Sequence, residues 1–486
     1  MSTLLPVLLA AGLVTALLAL HGARVHLRRQ VARHALHDSV TSLPGREIFK
    51  DRAEVALARG RRHGCRVAVL FIDLDRFKTV NESLGYEQGD QLLSLAARRI
   101  EGCLREADTA ARLGSDQFTV LLEEVADGVG AARVARRILD AFCEPFALGG
   151  HEAFVGASIG VAVAGSRSPS VDELVRSADL AMQRAKELGK GRYELFEPAM
   201  MAKAARRLML EADLRRAVDN DELRLVYEPE VLLHSGEVRS LEALLRWEHP
   251  TQGLLQPASF IPLAEDTGLI VAIGRWVLEE ACRAARRLHA SRPAATPVRL
   301  SVNVSARQLE RPESLTSEVA SVLTATGLRP DLLTLEITES VLMRHSRSAV
   351  AAVQGLRDLG VEIAIDDFGT GYSSLAYLKH FPVTGVKLDR SFVQGVTHPV
   401  DSAIVRSVIQ LADWLGASVT AEGIESGDQL CQLRRMGCAV GQGFYLSRPV
   451  AEDDLAELLD GSRWEGAFSQ SEPRLGPEAD EADEAD

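Results

Sequence analysis

The chain has 486 residues, of which 46% are hydrophobic, 25% charged and 5% aromatic, and its formal net charge is −13. This length exceeds that of one compact core, because single domains usually have about 100 to 200 residues, so we expect two domains with accessory segments. The composition excludes a largely disordered or many-span membrane protein, and the negative charge argues against binding of DNA or RNA polymers, which need clustered cations.

The first predicted element is one transmembrane helix within residues 1–21. Residues 3–20 carry no charge, and their length is close to that needed to cross a bilayer. The helix is followed directly by four arginines, Arg24, Arg28, Arg29 and Arg33. By the positive-inside rule, we expect a single span of the inner (cytoplasmic) membrane with the rest of the chain in the cytoplasm. A signal peptide is the alternative, but a basic n-region and a small-x-small cleavage site are missing. The six cysteines are scattered without a CxxC pair, in agreement with a reducing compartment.

Accessory segments and one domain account for much of the remaining chain. Residues 22–37 are typical of a short helical stalk, and residues 38–198 alternate strand-like apolar runs with helical stretches, which predicts a mixed α/β domain. Residues 199–220 contain neither Gly nor Pro and predict a connecting helix. Residues 461–486 form an acidic segment in which seven acids after Gln470 accompany one Arg474, and this composition predicts a solvated, disordered tail.

In residues 221–460, apolar β-branched runs that end in a polar residue alternate with helical stretches. The gaps after Asn303 are 33, 30, 21 and 35 residues, close to one strand-plus-helix unit of a TIM-like (β/α)8 barrel, whose active site lies at the carboxyl ends of its strands. One Glu after a strand is usually a helix cap or a surface charge, but several such endings in register predict a common rim. The polar endings are Glu242, Asn303, Glu336, Asp366 with Asp367, Lys387 and Glu422.

Several carboxylates, an amide and a lysine in one place favour hydrolysis of a phosphate ester with divalent metal ions. Oxygen ligands select Mg²⁺ or Mn²⁺, and the adjacent Asp366 and Asp367 suit two ions about 4 Å apart. The endings contain no Cys or His, which disfavours a zinc peptidase. A glycoside hydrolase is the weaker alternative, because such enzymes need two carboxylates and usually aromatic sugar platforms.

The motifs of this half are specific enough to show a resemblance. The sequences EAL at 242–244, SVNVSARQ at 301–308, IDDFGTGYSSL at 365–375, VKLDRSFV at 386–393 and AEGIE at 421–425 resemble the EAL family of cyclic di-GMP phosphodiesterases. The resemblance implies hydrolysis of one phosphodiester link of cyclic di-GMP to give linear pGpG with two Mg²⁺ or Mn²⁺ ions. A non-catalytic receptor for cyclic di-GMP is the alternative, although a receptor has no need for the complete acidic set.

The resemblance also implies roles for single residues. Glu339 would anchor the loop that begins at Asp367, and in the family this loop couples homodimer contacts to metal occupancy. The catalytic set would be Lys387, Glu422, Glu242 and Gln442, with Lys387 and Gln442 acting on the attacking water. The metal ligands would be Glu242, Asn303, Glu336, Asp366, Asp367, Asp389 and Glu422. Two positions depart from the family pattern, Glu228 where Gln is usual and Ser240 where Gly is frequent.

Residues 36–198 resemble the GGDEF family of diguanylate cyclases. The resemblance rests on TSLPGR at 41–46, FIDLDRFKTVN at 71–81 and RLGSDQF at 112–118. It implies that Asp73 and Asp116 hold metal, that Asn81 and Asp90 read guanine, and that Lys78 and Lys186 meet phosphates.

The signature of this segment is GSDQF, so Ser115 and Gln117 replace a glycine and a carboxylate, while Gln183 and Lys190 also depart from the family pattern. Because Gln cannot serve as a carboxylate, we expect no cyclase activity. A retained regulatory GTP site is expected, with an inert scaffold as its rival, and a bifunctional cyclase and phosphodiesterase is a further alternative. Arg105 and Asp108 match the family's inhibitory RxxD position, although a surface salt bridge between them is the simpler interpretation.

Overall fold

The computed structural model describes residues 36–164, 169–344, 346–370 and 381–460. The predicted transmembrane helix, most of the stalk and the acidic segment lie outside these residues. Within the described ranges, no helix has both the length and the apolar character needed to cross a membrane. The chain divides into two compact units, one ending at Arg206 and the other beginning at Arg207.

The first unit alternates helices and strands. Its helices are α1 (Arg46–His63), α2 (Phe77–Leu84), α3 (Tyr86–Gly102), α4 (Gly128–Phe142) and α5 (Val171–Glu187). Its strands are β1 (Arg66–Leu74), β2 (Thr109–Arg112), β3 (Gln117–Val125), β4 (Phe146–Leu148), β5 (His151–Ala153), β6 (Ala157–Val163) and β7 (Tyr193–Leu195). Helix α6 (Pro198–Ala217) follows, where the sequence predicts a helix at 199–220.

The core of the first unit is a sheet with the strand order β2-β3-β1-β6-β7. The central β1 is antiparallel to both β3 and β6, and every residue of β1 after Arg66 is buried. Burial on both faces explains why the run RVAVLFIDL is almost continuously apolar and does not alternate. The predicted mixed α/β fold of this part is confirmed.

Helix α5 packs directly on strand β6 at a glycine. A Cβ atom placed on Gly160 would lie 1.9 Å from the carbonyl oxygen of Ala178 and 2.2 Å from the backbone nitrogen of Met182. A side chain at this position would force the helix away from the sheet, so the small residue determines how closely the two elements approach.

The second unit contains a longer series of elements. Its helices are α7 (Pro257–Thr267), α8 (Ile270–Ser291), α9 (Ala306–Leu309), α10 (Pro312–Thr326), α11 (Glu339–Arg344), α12 (Ser346–Asp358), α13 (Arg390–Gln394), α14 (Pro399–Leu415), α15 (Gly427–Arg435) and α16 (Leu455–Leu458). Its strands are β8 (Leu223–Leu232), β9 (Val238–His249), β10 (Gly253–Leu255), β11 (Arg299–Asn303), β12 (Leu333–Thr338), β13 (Glu362–Phe368), β14 (Gly385–Leu388), β15 (Ser418–Ala421) and β16 (Val440–Gly441).

These strands form a closed barrel of eight, in the order β9-β11-β12-β13-β14-β15-β16-β8 with β8 returning to β9, while β10 pairs with β9 outside the closed ring. The predicted closed barrel is confirmed, but the expectation of a regular (β/α)8 order is wrong at its start. Strand β8 is antiparallel to both β9 and β16, whereas the other neighbours in the ring are parallel. The cause is the short turn between Leu232 and Val238, which permits a hairpin but is too short for a crossover helix.

We predict that Gly160→Ala lowers the free energy of unfolding by about 2 to 4 kcal/mol, because the added methyl group collides with the backbone of α5. Urea unfolding followed by circular dichroism measures the change. The matched control is Gly128→Ala, whose Cβ would meet its nearest atom, in Leu195, at an ordinary 3.6 Å. The control should stay within about 0.5 kcal/mol of the parent, and equal stability of the two variants would contradict the packing argument.

Candidate active site

The side chain of Lys387 forms the centre of a buried ionic cluster in the barrel. Its Nζ atom lies 2.9 Å from Glu242 Oε2, 2.9 Å from Glu336 Oε2 and 2.7 Å from Glu422 Oε1. The lysine side chain is only 2% exposed. One ammonium group therefore links carboxylates that are far apart in the sequence, and it offsets part of their mutual repulsion.

The strands position this cluster from within the barrel. Glu242, Glu336 and Lys387 lie inside β9, β12 and β14, so the expectation that they end their strands is wrong. Asn303 does end β11, and Glu422 follows the last residue of β15. Because alternate residues of a strand face the same side, side chains within the strands can meet on the barrel axis.

Two amides hold Glu242 from its other sides. Asn303 Nδ2 donates to Glu242 Oε1 at 2.8 Å, and Gln442 Nε2 donates to Glu242 Oε2 at 2.7 Å. The Oε1 atom of Gln442 is buried and has no hydrogen-bond partner within the described ranges. A buried oxygen without a partner is costly, so this atom is suited to a water molecule or a cation that the site takes up.

Asp366 and Asp367 reach the same site through an irregular backbone. Neighbouring residues of a regular strand point to opposite faces, but the pairing of β13 with β14 shifts register between Ile365 and Phe368, and Asp367 has a φ of 53°. One oxygen from each of Asp366, Asp367 and Glu422 lies within 4.8 Å of the others. The bulge therefore produces a second carboxylate group beside the lysine cluster.

Glu339 holds the backbone that follows the two aspartates. Its Oε2 accepts a hydrogen bond of 2.8 Å from the backbone nitrogen of Gly369. Gly369 has a φ of 96°, and a Cβ atom there would lie 2.6 Å from the Phe392 ring, so only glycine fits. This contact places Glu339 at the start of the loop that, by the family resemblance, it would anchor.

Asp389 is positioned differently from the other expected metal ligands. Its Oδ1 accepts a hydrogen bond of 3.0 Å from the backbone nitrogen of Ser391 and caps α13. Asp389 belongs to neither close carboxylate group of the described residues. Its negative charge is near enough to add to the effect of burial in raising the pKa of both Asp366 and Asp367.

Burial and mutual repulsion decide the charges of this cluster. Burial raises the pKa of Glu422 to about 8, and the neighbouring Lys387 opposes that shift. Burial alone would lower the pKa of Lys387, but the carboxylates of Glu242, Glu336 and Glu422 raise it well above its usual value. The lysine is thus charged, and the site still has an excess of acids, which suits divalent cations held by oxygen ligands.

The expected nucleotide site of the first unit brings only some of its residues together. Lys186 Nζ lies 2.6 Å from Asp73 Oδ1, and burial raises the pKa of Asp73 while this lysine opposes the shift. Asp116 lies in the turn between β2 and β3, and its charge is close enough to contribute to the shift at Asp73. Lys78 is 89% exposed and pairs with Glu82.

The altered signature has visible contacts of its own. Ser115 Oγ donates to Asp116 Oδ1 at 2.8 Å, so the hydroxyl occupies an acceptor of the expected metal ligand. The side-chain amide of Gln117 lies against Gly114. A Cβ atom added to Gly114 would be 3.2 Å from Gln117 Oε1.

The expected guanine-reading and inhibitory positions are only partly engaged. Asn81 Oδ1 is buried beside Gly89 without a partner in the described structure, and Asp90 is exposed. The expected alternative of a salt bridge in the RxxD pair is wrong, because Asp108 Oδ2 instead accepts from the backbone nitrogen of Arg105 at 3.1 Å.

Comparison with known proteins agrees with both units. Residues 211–449 match the model of the EAL domain, and residues 35–192 match that of the diguanylate cyclase GGDEF domain. The chain belongs to the GGDEF–EAL family.

Two curated relatives come from Pseudomonas aeruginosa. The bifunctional diguanylate cyclase/cyclic di-GMP phosphodiesterase MucR is 42% identical over 91% of this chain and 64% of its own length. The cyclic di-GMP phosphodiesterase NbdA is 39% identical over 91% of this chain and 56% of its own length. The present chain thus spans less than two thirds of either relative.

Among solved structures, the EAL enzyme Bd1971 in its cAMP- and cyclic-di-GMP-bound form is 28% identical, with a TM-score of 0.51. The match covers 71% of the present chain and 82% of that structure. It agrees with the fold of the EAL domain described above.

Sequence reasoning missed one buried acid of the EAL domain. Glu230 is 6% exposed, accepts a hydrogen bond from Ser240 Oγ, and has an oxygen within 4.8 Å of oxygens of Glu242 and Glu336. A signal for it was present in the sequence: Glu228 and Glu230 are two residues apart in β8 and therefore lie on the same face of the strand. The hydroxyl of Ser240, at a position where glycine is frequent, has a function here as the donor to this acid.

Glu228, the other departure from the EAL pattern, is also buried. It lies opposite Glu242 in the pairing of β8 with β9 and is 8% exposed. Burial raises its pKa to about 7, with the Gln442 amide opposing and the Glu242 charge reinforcing the shift. An acid whose pKa is raised on folding stabilises the folded state at low pH, and this contribution is lost as the pH rises through about 7.

We predict that Glu228→Gln stabilises the metal-free protein by about 1 to 3 kcal/mol at pH 8, because the ionised carboxylate no longer has to be buried. At pH 5 the stabilisation should be much smaller, because folded Glu228 is protonated there. Thermal unfolding of both proteins in chelator at the two pH values measures the difference. An equal effect at both values would contradict the raised pKa.

Proposed function

We propose that the EAL domain hydrolyses cyclic di-GMP to linear pGpG with two Mg²⁺ or Mn²⁺ ions. The observation that carries the proposal is the Lys387 cluster with its adjoining group of Asp366, Asp367 and Glu422. Relatives named as cyclic di-GMP phosphodiesterases support the substrate. A receptor needs shape and charge complementarity to the ligand, but it does not need this arrangement of acids around a buried lysine.

The acids and amides of the cluster fit a pair of hard cations. The residues that would hold the ions are Glu242, Asn303, Glu336, Asp366, Asp367 and Glu422, with Asp389 as a further candidate. When bound, the ions neutralise the acids and supply Lewis acidity for attack on the phosphodiester. The buried Oε1 atom of Gln442 also fits, because it requires a partner that the described residues do not provide.

The chain's own side chains then orient the reaction. Lys387 fixes three carboxylates through contacts of 2.7 to 2.9 Å and adds a positive charge beside the phosphodiester. Gln442 is held by Glu242 through its amide nitrogen, so its oxygen is free to accept a hydrogen bond from the attacking water and to orient it. Orientation by such fixed groups lowers the entropic cost of the attack.

For the GGDEF domain we propose loss of cyclase activity with a retained site for GTP as a regulatory ligand. Ser115 engages Asp116, and Gln117 lacks the negative charge of the usual Glu, so the metal site is weakened. The buried, unpartnered Oδ1 of Asn81 supports the retained nucleotide site. We further propose that the protein acts as a homodimer, with residues 1–21 anchoring it in the inner membrane and both domains in the cytoplasm.

We predict that the purified protein converts cyclic di-GMP to pGpG in Mg²⁺ or Mn²⁺, and that Glu242→Ala lowers kcat by at least about 10³-fold. Chromatography of the products measures turnover. The matched control is Glu248→Ala in the same strand, whose side chain is 62% exposed and should be dispensable. Binding of cyclic di-GMP without turnover in either metal would contradict the phosphodiesterase and favour the receptor.

The bifunctional alternative is favoured by the name of one relative and is tested separately. We predict that Glu242→Ala protein supplied with GTP and Mg²⁺ forms no cyclic di-GMP, because Gln117 cannot complete the metal site. The comparison variant adds Ser115→Gly and Gln117→Glu, which restores the family signature. Accumulation of cyclic di-GMP with the unrestored signature would overturn the proposed loss of cyclase activity.

A further inference from the structure

The second unit contains a cavity of about 610 Å³ at the end of the barrel away from the candidate active site. The turn between β8 and β9 and the segment between α8 and β11 form its walls, so it lies at the amino ends of β9 and β11. Asn303, by contrast, marks the carboxyl end of β11. The cavity is therefore separate from the Lys387 cluster.

Cations dominate the charge of this cavity. Arg239, Arg292 and Arg299 line it, and Glu237 is the one acid in its described lining. Arg299 is already paired with Glu362, but Arg239 donates to no acceptor in the described part of the chain. The charge of Arg239 also acts on the buried Glu230, where it opposes the rise in pKa that burial causes. An arginine with uncommitted donors on a cavity wall is suited to carboxylates, which it can bind through two parallel hydrogen bonds.

The start of the acidic segment lies at this cavity. Leu459 is part of the lining, Arg292 Nη2 donates to its carbonyl oxygen at 3.1 Å, and Arg292 Nη1 lies 3.4 Å from Asp460 Oδ1. The segment 461–486 continues directly from these residues. At the end of a short tether, the acids of the segment have an effective concentration at the cavity of about millimolar. They can therefore compete for the cavity with free anions that are present at lower concentrations.

We propose that the acidic segment 461–486 docks in this arginine-lined cavity of its own barrel. Its acids after Gln470 complement Arg239, and its Trp464 and Phe468 complement apolar walls that include Leu232 and Leu288. The proposal is an alternative to the solvated, disordered tail expected from composition alone. It is independent of the proposed enzymatic function, because it rests on charge, tether length and the position of Asp460.

Photocrosslinking in the full chain tests the contact. With Ala482→p-benzoylphenylalanine, which leaves every acid in place, irradiation should give an intramolecular product that peptide mapping assigns to 232–239 or 292–299. Arg239→Glu should lower its yield by about fivefold or more, since it replaces attraction by repulsion. The matched control is Arg275→Glu, a 62% exposed position on α8 about 25 Å along the helix from Arg292, which should leave the yield unchanged.

A second variant leaves the barrel untouched. Neutralising Asp480, Glu481, Asp483 and Glu484 to their amides should lower the yield as Arg239→Glu does, and 0.5 M salt should do the same because it screens exposed charges. Products that map elsewhere, that join two copies, or that persist in these variants would overturn the proposal. A yield reduced as much by Arg275→Glu as by Arg239→Glu would also overturn it.

Discussion

The ion pairs of one buried lysine are the interaction on which the barrel interior depends. Lys387 holds Glu242, Glu336 and Glu422 within 3 Å of one ammonium group, and the burial of Lys387, Glu242 and Glu336 limits the screening of their charges by solvent. Such a cluster is costly to bury and gives little net stability, so its presence requires another explanation. The explanation that fits is function, because a set of preoriented acids with one fixed cation is prepared to take up divalent ions.

An irregular stretch of backbone in β13 places two adjacent aspartates at the site, which a regular strand cannot do. Strands β9, β11, β12 and β14 each bring one residue to the site, but two adjacent aspartates require the register shift and the positive φ at Asp367. The close contact of Gly369 with Phe392 and its hydrogen bond to Glu339 then hold this strained segment in place. Local strain of this kind is stored at functional sites, where the surrounding contacts compensate for it.

The sequence predicted the fold class and nearly all of the acidic cluster, because apolar runs and their polar residues recur at the spacing of strand-helix units. It did not predict the antiparallel β8, since a hairpin and a crossover differ only in the length of one short connection. The sequence also did not show that Glu242 lies within its strand. An apolar run alone does not reveal which of its residues lies at the level of the site in the barrel. Glu230 was missed because no motif includes it, although its alternation with Glu228 was visible.

The distribution of charge gives the two ends of the barrel opposite characters. At one end, the acids outnumber Lys387, and amides such as Gln442 are held with an oxygen uncommitted. At the other, Arg239, Arg292 and Arg299 face a cavity with a single acid in its described lining. Glu230 lies between them, close to Glu242 and Glu336 and attracted by both Lys387 and Arg239. Because Glu230 is buried, its charge is compensated by cations from both ends of the barrel, and this compensation helps to accommodate a third acid beside Glu242 and Glu336.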